Sequence, residues 1–176
     1  MRAQWWIVEN LGLAPKRLTT VAIEQTMQED ELGIQLASGV AAFEAKEFRR
    51  AMQLLSPLAE AGVSAAQFRV AIMCQNGLDG VTNPDAALRW MTAAAEQGEP
   101  LAQHGLGFMY AYGECVEANG ERAVHWLERA AEQGMHGSMA TLAQLYADGA
   151  LVEQDEARAR HWYDRAGFDP DEFISN

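Results

Sequence analysis

The sequence predicts an all-α fold, a right-handed superhelical solenoid of helical hairpins with a 36-residue repeat. Trp90, Trp126 and Trp162 are spaced by 36 residues and then by 36 again, a self-similarity typical of repeat architectures. Within each period, apolar residues recur at helical spacing over two segments, which predicts two amphipathic helices per unit. The chain also contains 31 Ala among 176 residues, a composition that favours helices and makes an all-β fold improbable.

Many further columns of small side chains keep the same period. Because these columns agree independently, the repeat is a strong signal, and Ala71, Gly107 and Ala143 are expected to let neighbouring helices approach closely. The repeated columns include Gly62, Gly98 and Gly134; Gly77, Gly113 and Gly149; Ala87, Ala123 and Ala159; and Ala71, Gly107 and Ala143.

The ends of the second helix in each unit are marked by residues with suitable chemistry. Asn83, Asn119 and Asp155 are spaced by 36, and their side chains are good acceptors for the free N–H groups of a first helical turn. Gly98 and Gly134 are expected to end the second helix, since glycine adopts the left-handed conformation most easily there.

The period divides the chain into units, with residues at both ends lying outside it. A short helix starting at Asp169 is expected to cover the last hairpin, whereas Trp5 and Trp6 near the N-terminus either cap the first hairpin or dock on another chain. The expected organisation is an N-terminal arm or cap at 1–27, a divergent hairpin at 28–62, repeats at 63–98, 99–134 and 135–167, and a tail at 168–176.

Charge and cysteine content restrict the partners and the compartment. The formal charge of −12 argues against nucleic acid or an anionic membrane as the main partner, because both are negative. No apolar run is long enough for a membrane span. Cys74 and Cys115 lack the spacing of a disulfide framework or zinc site. We therefore expect a cytoplasmic protein, or a periplasmic one if a signal peptide has been removed.

The sequence contains no pattern typical of an active site. His125 and His161 occupy equivalent positions in neighbouring repeats, but no carboxylate or thiolate lies at metal-ligand spacing from them, so a polar ladder on the outer edge is the better interpretation. Glu114 and Glu117 flank Cys115, and their charges should raise the pKa of its thiol and reduce its nucleophilicity. We expect a non-enzymatic protein with no cofactor and no metal.

Partner binding is expected at the columns that vary between repeats, because packing accounts for the constant ones. In solenoids of hairpins the first helices line the concave side, and aromatic anchors with polar neighbours are typical of interface hot spots. An alternative that the sequence supports equally well is that Phe68 and Phe108 only complete the packing between repeats. The predicted partner-binding residues are Phe68, Arg69, Ile72, Gln75, Asn76, His104, Phe108, Tyr112, Thr141, Gln144 and Asp148.

The repeat also resembles a known family. The pattern is similar to the Sel-one-like repeat, a relative of the tetratricopeptide repeat, clearly over residues 60–167 and loosely over 29–60. The residues that carry the resemblance are Ala102, Leu106, Gly107, Met109, Tyr110, Gly113, Val116, Asn119, Ala123, Trp126, Ala130, Ala131 and Gly134.

The resemblance implies a scaffold that holds a protein or peptide in a concave groove, often within bacterial signalling, envelope or secretion assemblies. Some relatives carry a cysteine pair in each repeat, and Cys74 and Cys115 do not reproduce that spacing. The sequence therefore favours a non-enzymatic adaptor with a neutral or basic partner. The alternative is a homo-oligomeric structural module in which the N-terminal arm docks into a neighbouring chain.

Overall fold

The computed structural model describes the backbone of residues 20–174, and the side chains of residues 30–171 and of Phe173. Every regular element in this range is a helix, which confirms the predicted all-α class. The helices are α1 Thr20–Glu44, α2 Phe48–Glu60, α3 Ser64–Asn76, α4 Pro84–Glu96, α5 Pro100–Tyr112, α6 Gly120–Glu132, α7 His136–Asp148, α8 Glu156–Ala166 and α9 Pro170–Ile174. Within the described residues, none of them is long and apolar enough to cross a membrane.

The chain divides into two compact units, Met1–Gln35 and Leu36–Asn176. In the first unit, the described part is the beginning of α1, and its side chains from Asp30 to Gln35 are exposed. The boundary expected at residue 28 falls inside α1, because no Pro or Gly interrupts the helix between Thr20 and Leu32. Trp5 and Trp6 lie outside the described residues.

Tandem hairpins build the second unit, and the predicted capping residues begin the second helix of three of them. The side chains of Asn83, Asn119 and Asp155 each accept a hydrogen bond from the backbone N–H three residues later, at 3.0, 2.9 and 3.0 Å. The backbone N–H of each capping residue donates to the carbonyl nine residues earlier, at 2.8 to 2.9 Å, and thereby closes the loop. Gly98 and Gly134 follow their helices with φ of 90° and 87°, as predicted.

In the column of Ala71, Gly107 and Ala143, the middle residue permits a close approach between two helices. A Cβ atom at Gly107 on α5 would lie 2.6 Å from Leu127 Cγ and 3.1 Å from Leu127 N on α6. The large partner of this glycine is therefore Leu127, and the neighbouring Trp126 is only partly buried against the core. The Arg129 guanidinium lies 5.1 Å from the Trp126 ring centroid, so the outer part of the repeated Trp packs against a cation.

Two buried glutamines join consecutive hairpins, and the sequence did not predict these contacts. Gln67 and Gln103 are 5% and 1% exposed, and each donates to a carbonyl near the end of the preceding second helix. Each also accepts a hydrogen bond from the glutamine that ends its own hairpin. The contacts are Gln67 to Ala59 O at 3.1 Å, Gln103 to Ala95 O at 3.2 Å, Gln97 to Gln67 at 2.7 Å and Gln133 to Gln103 at 2.7 Å.

Candidate functional site

The predicted partner-binding residues lie on α3, α5 and α7, the first helices of three hairpins. On α5, three of them form a continuous row. The ring centroids of His104 and Phe108 are 6.3 Å apart, and those of Phe108 and Tyr112 are 4.2 Å apart. Tyr112 is 50% exposed, so this row presents an aromatic surface to solvent.

A hydrogen bond connects the α5 row to α7. His104 Nδ1 lies 2.8 Å from Oγ of the fully buried Ser138, and a Cβ at Gly137 would lie 3.4 Å from His104 Cε1. Burial lowers the pKa of His104, because desolvation disfavours the charged imidazolium. His104 is therefore a neutral, half-buried connector between the two helices, Phe108 is also half-buried, and Tyr112 is the exposed member of the row.

Most of the predicted residues on α3 contact the core or their own helix. Phe68 and Ile72 are half-buried and pack against the core cluster, as the packing alternative for Phe68 expects. Arg69 Nη1 donates to Ala65 O, and Asn76 Nδ2 donates to Ile72 O, both at 2.9 Å. These polar side chains are occupied by carbonyls of their own helix.

Gln75, the remaining predicted residue on α3, reaches the next repeat. Its Nε2 donates to Glu114 Oε2 at 2.7 Å, which links the end of α3 to the loop after α5. The adjacent Cys115 has a raised pKa, first because of burial and then because of the Glu114 charge. Cys74 has a raised pKa for the same first reason, followed by Asp79. Both thiols are therefore weaker nucleophiles than an exposed cysteine at neutral pH.

The predicted residues on α7 line a cleft of about 480 Å³. Thr141 Oγ1 donates to Gly137 O at 2.9 Å, whereas Gln144 and Asp148 are exposed. The opposite wall is aromatic and comes from α8 and the chain that follows it, where sequence reasoning identified no site residue. We call this feature the terminal cleft; it is lined by Ala140, Thr141, Gln144, Ala147, Asp148, Tyr163, Phe168 and Phe173.

The aromatic wall of the terminal cleft depends on α9, the short helix expected from Asp169 onward. The rings of Tyr163 and Phe173 are stacked with centroids 5.0 Å apart, and Phe168 meets Phe173 edge-on at 5.7 Å. An exposed ion pair of 2.6 Å between Arg160 and Asp171 joins α8 to α9. The sequence signal that could have found this wall is Phe168 and Phe173, two apolar rings in an otherwise acidic tail.

A second cleft, of about 500 Å³, lies near the start of α8. There, Arg158 Nη1 donates to Tyr146 Oη at 3.1 Å, and this hydrogen bond is the main reason that the pKa of Arg158 is raised. Arg122 and Tyr110 form the same pair one repeat earlier, at 3.0 Å. Because the pair recurs with the repeat, we assign it to hairpin structure.

The two histidines at equivalent positions contact the repeated Trp residues. The ring of His125 lies edge-on to Trp126 at 5.0 Å, and that of His161 lies edge-on to Trp162 at 5.3 Å. Both histidines are exposed. Among the described residues, no group of three or more His, Cys, Asp and Glu side chains is arranged to hold a metal ion.

Stacked hairpins with a constant core and a variable first-helix face define the class of helical-repeat solenoid proteins. The Sel1 repeat family model matches residues 64–99, 100–135 and 137–167. The chain belongs to the Sel1 repeat family, which confirms the resemblance seen in its sequence. Sel1 repeats commonly mediate protein–protein interaction, and the fold is generally a non-catalytic scaffold. No functionally curated protein matches the chain.

Two solved bacterial structures are similar to this chain. A Sel1 repeat protein from Oxalobacter formigenes is 30% identical, with a TM-score of 0.69 over 76% of this chain and 53% of that chain. A protective antigen present in uropathogenic Escherichia coli strains, which displays an SLR fold, is also 30% identical, with a TM-score of 0.72 over 86% of this chain and 33% of that chain. The present chain thus spans about half and one third of these relatives.

Proposed function

We propose that this protein is a non-enzymatic adaptor that holds a partner peptide or domain on the face formed by α3, α5 and α7. The observation that carries the proposal is the Phe108–Tyr112 pair, whose rings lie 4.2 Å apart on the middle first helix. Aromatic side chains beside polar ones are enriched in interface hot spots. Phe68 and Ile72 extend the same face, although part of each ring or chain is already used in the core.

The overall charge supports a neutral or basic partner. At a formal charge of −12, the chain attracts cationic segments and repels nucleic acid and other anions during diffusional encounter. Cys74 and Cys115 are free thiols, a state that suits a reducing compartment. We therefore place the adaptor in the cytoplasm.

The adaptor proposal is tested with a purified partner. After the partner has been identified by cross-linking to the full chain in cells, its affinity is measured by calorimetry for the wild type, for the double variant Phe108→Ala/Tyr112→Ala, and for Val81→Ala. We expect the double variant to weaken binding about tenfold or more, because each hot-spot truncation costs over about 1 kcal/mol.

Val81 is the matched control, since it is 81% exposed on a loop outside the predicted face. Its truncation should leave the affinity unchanged. Circular dichroism should show equal helicity for all three proteins. Full affinity in a folded double variant would refute the site.

The homo-oligomeric alternative receives support from the first unit. Leu32 and Ile34 on α1 are 41% and 67% exposed, and apolar side chains of this size are costly to leave in water. If an N-terminal arm docks on a neighbouring chain, then Trp5→Ala/Trp6→Ala, or a chain that begins at Thr20 and keeps α1 whole, should be smaller in solution than the full chain. Light scattering measures the mass, and a monomeric full chain would eliminate this alternative.

A further inference from the structure

We propose that the terminal cleft binds a cationic side chain, with arginine preferred to lysine, from the partner held on the first-helix face. The inference rests on the proposed adaptor function and specifies what chemistry the partner must have. It places a basic residue of the partner between Asp148 on α7 and the rings of Phe168 and Phe173.

The wall of the cleft offers aromatic surface to a ligand. Phe168 and Phe173 remain 46% and 52% exposed, although both belong to an aromatic cluster with the buried Tyr163. The two rings meet edge-on at 5.7 Å, and about half of each side chain stays accessible in the cleft lining. The negative face of an aromatic ring attracts a guanidinium or ammonium group.

The opposite wall supplies the negative charge. Asp148 is exposed, and its carboxylate makes no ion pair with any described residue. The electrostatic neighbour of the carboxylate is the Tyr163 phenol, whose pKa is raised first by burial and second by Asp148. Of the eight described residues that line the cleft, one is an acid and none is a base. A cationic ligand would therefore meet charge complementarity.

Other occupants fit this chemistry less well. An anion would meet both Asp148 and the overall charge of −12, and one carboxylate is too few ligands for a bound calcium ion. A wholly apolar segment would desolvate the carboxylate without pairing it, which is costly. Arginine can stack its planar guanidinium on a ring while donating to the carboxylate, whereas lysine offers a point charge.

The repeat geometry also predicts where the basic residue lies in the partner. Asp148 on α7 occupies the position of Tyr112 on α5, since the two differ by one 36-residue period. Packed helices lie about 8–10 Å apart, which is the length of about three residues of extended chain. We expect the basic residue to lie about three positions from an apolar residue that contacts Phe108 and Tyr112.

The test uses the full chain labelled with ¹⁵N and two neutral-ended probes, N-acetyl-arginine methylamide and N-acetyl-citrulline methylamide. Citrulline has nearly the same shape as arginine and no charge. Amide resonances of Gln144, Asp148 and Phe168 should shift saturably with the arginine probe, with an affinity at least about fivefold above that for citrulline. Asp148→Asn should clearly reduce this difference, because only the contribution of the aromatic rings then remains. Asp79→Asn should not, because it makes the same charge change in a distant exposed loop.

Equal shifts with both probes, or an arginine preference that is undiminished in Asp148→Asn, would overturn the proposal. The result is separable from the adaptor test, because the probes need no identified partner. If the wild type shows no preference for the arginine probe but Phe108→Ala/Tyr112→Ala still weakens partner binding, the cleft assignment is wrong and the adaptor proposal stands. The reverse result would keep a cationic subsite and remove the aromatic row as an anchor.

Discussion

His104 is both part of the predicted partner-binding face and part of the packing between α5 and α7. Its Nδ1 atom is hydrogen-bonded to Ser138, while its ring contacts Phe108. Because burial lowers its pKa below the ordinary value of 6.5, the folded chain favours the neutral ring. Protonation therefore acts on the fold at the place where the aromatic row begins.

We predict that His104 contributes to loss of stability in acid. The unfolded chain takes up the proton at higher pH than the folded chain, so stability falls as pH decreases below the unfolded pKa of about 6.5, and the loss stops below the folded pKa. The urea midpoint measured at pH 8 and at pH 5 should differ less for His104→Asn than for the wild type. An equal difference in both proteins would show that this histidine is not involved.

At the scale of helices, the approach of α5 to α6 depends on one missing side chain. Gly107→Leu should destabilise the protein by about 1–3 kcal/mol through overpacking against Leu127, measured by thermal melting. Gly33→Leu is the matched control, since Gly33 is also helical and a Cβ there meets nothing within 4 Å. The control should be neutral or slightly stabilising, because leucine favours helix. Unchanged melting of Gly107→Leu would contradict the observed approach.

The glutamine contacts join one hairpin to the next. Met139 occupies the position of Gln103 in the following repeat, so the column accepts methionine sterically. Gln103→Met should nevertheless cost about 1–3 kcal/mol, because Ala95 O and the Gln133 amide lose their buried partner. Chemical denaturation measures this cost.

The matched control for Gln103→Met is Gln144→Met, which changes an exposed glutamine and should have little effect on stability. In a double-mutant cycle, Gln103→Met and Gln133→Ala should be less than additive, because they share one hydrogen bond. Additive costs would mean that the two glutamines act independently.

At the scale of the whole molecule, stability should vary along the row of hairpins. Each hairpin of a repeat protein is stabilised by its neighbours, and terminal units have fewer of them. We predict the slowest amide hydrogen exchange in α4, α5 and α6, each of which packs against the helix before it and the helix after it. Exchange should be faster in α8 and α9. Mass spectrometry of exchanged peptides measures the gradient. Uniform protection from α4 to α9 would indicate a single cooperative unit instead.

The terminal cleft shows where prediction from the sequence reached its limit. The sequence predicted Thr141, Gln144 and Asp148 as members of a binding face, and it predicted a short helix after Asp169. It contained no indication that the ring of Phe173 would stack on Tyr163. That contact depends on the direction in which the chain leaves α8, which periodicity does not encode.

The sequence by itself determined the all-α class, the 36-residue period, the capping residues and the glycines that end the helices. These features follow from local interactions, since a cap or a helical face involves residues only a few positions apart. Tertiary structure alone decided which variable residues pack against the core, as Phe68 does, and which remain exposed, as Tyr112 does. It also decided the glutamine contacts and the aromatic wall, because these join side chains that only the packing of separate helices brings together.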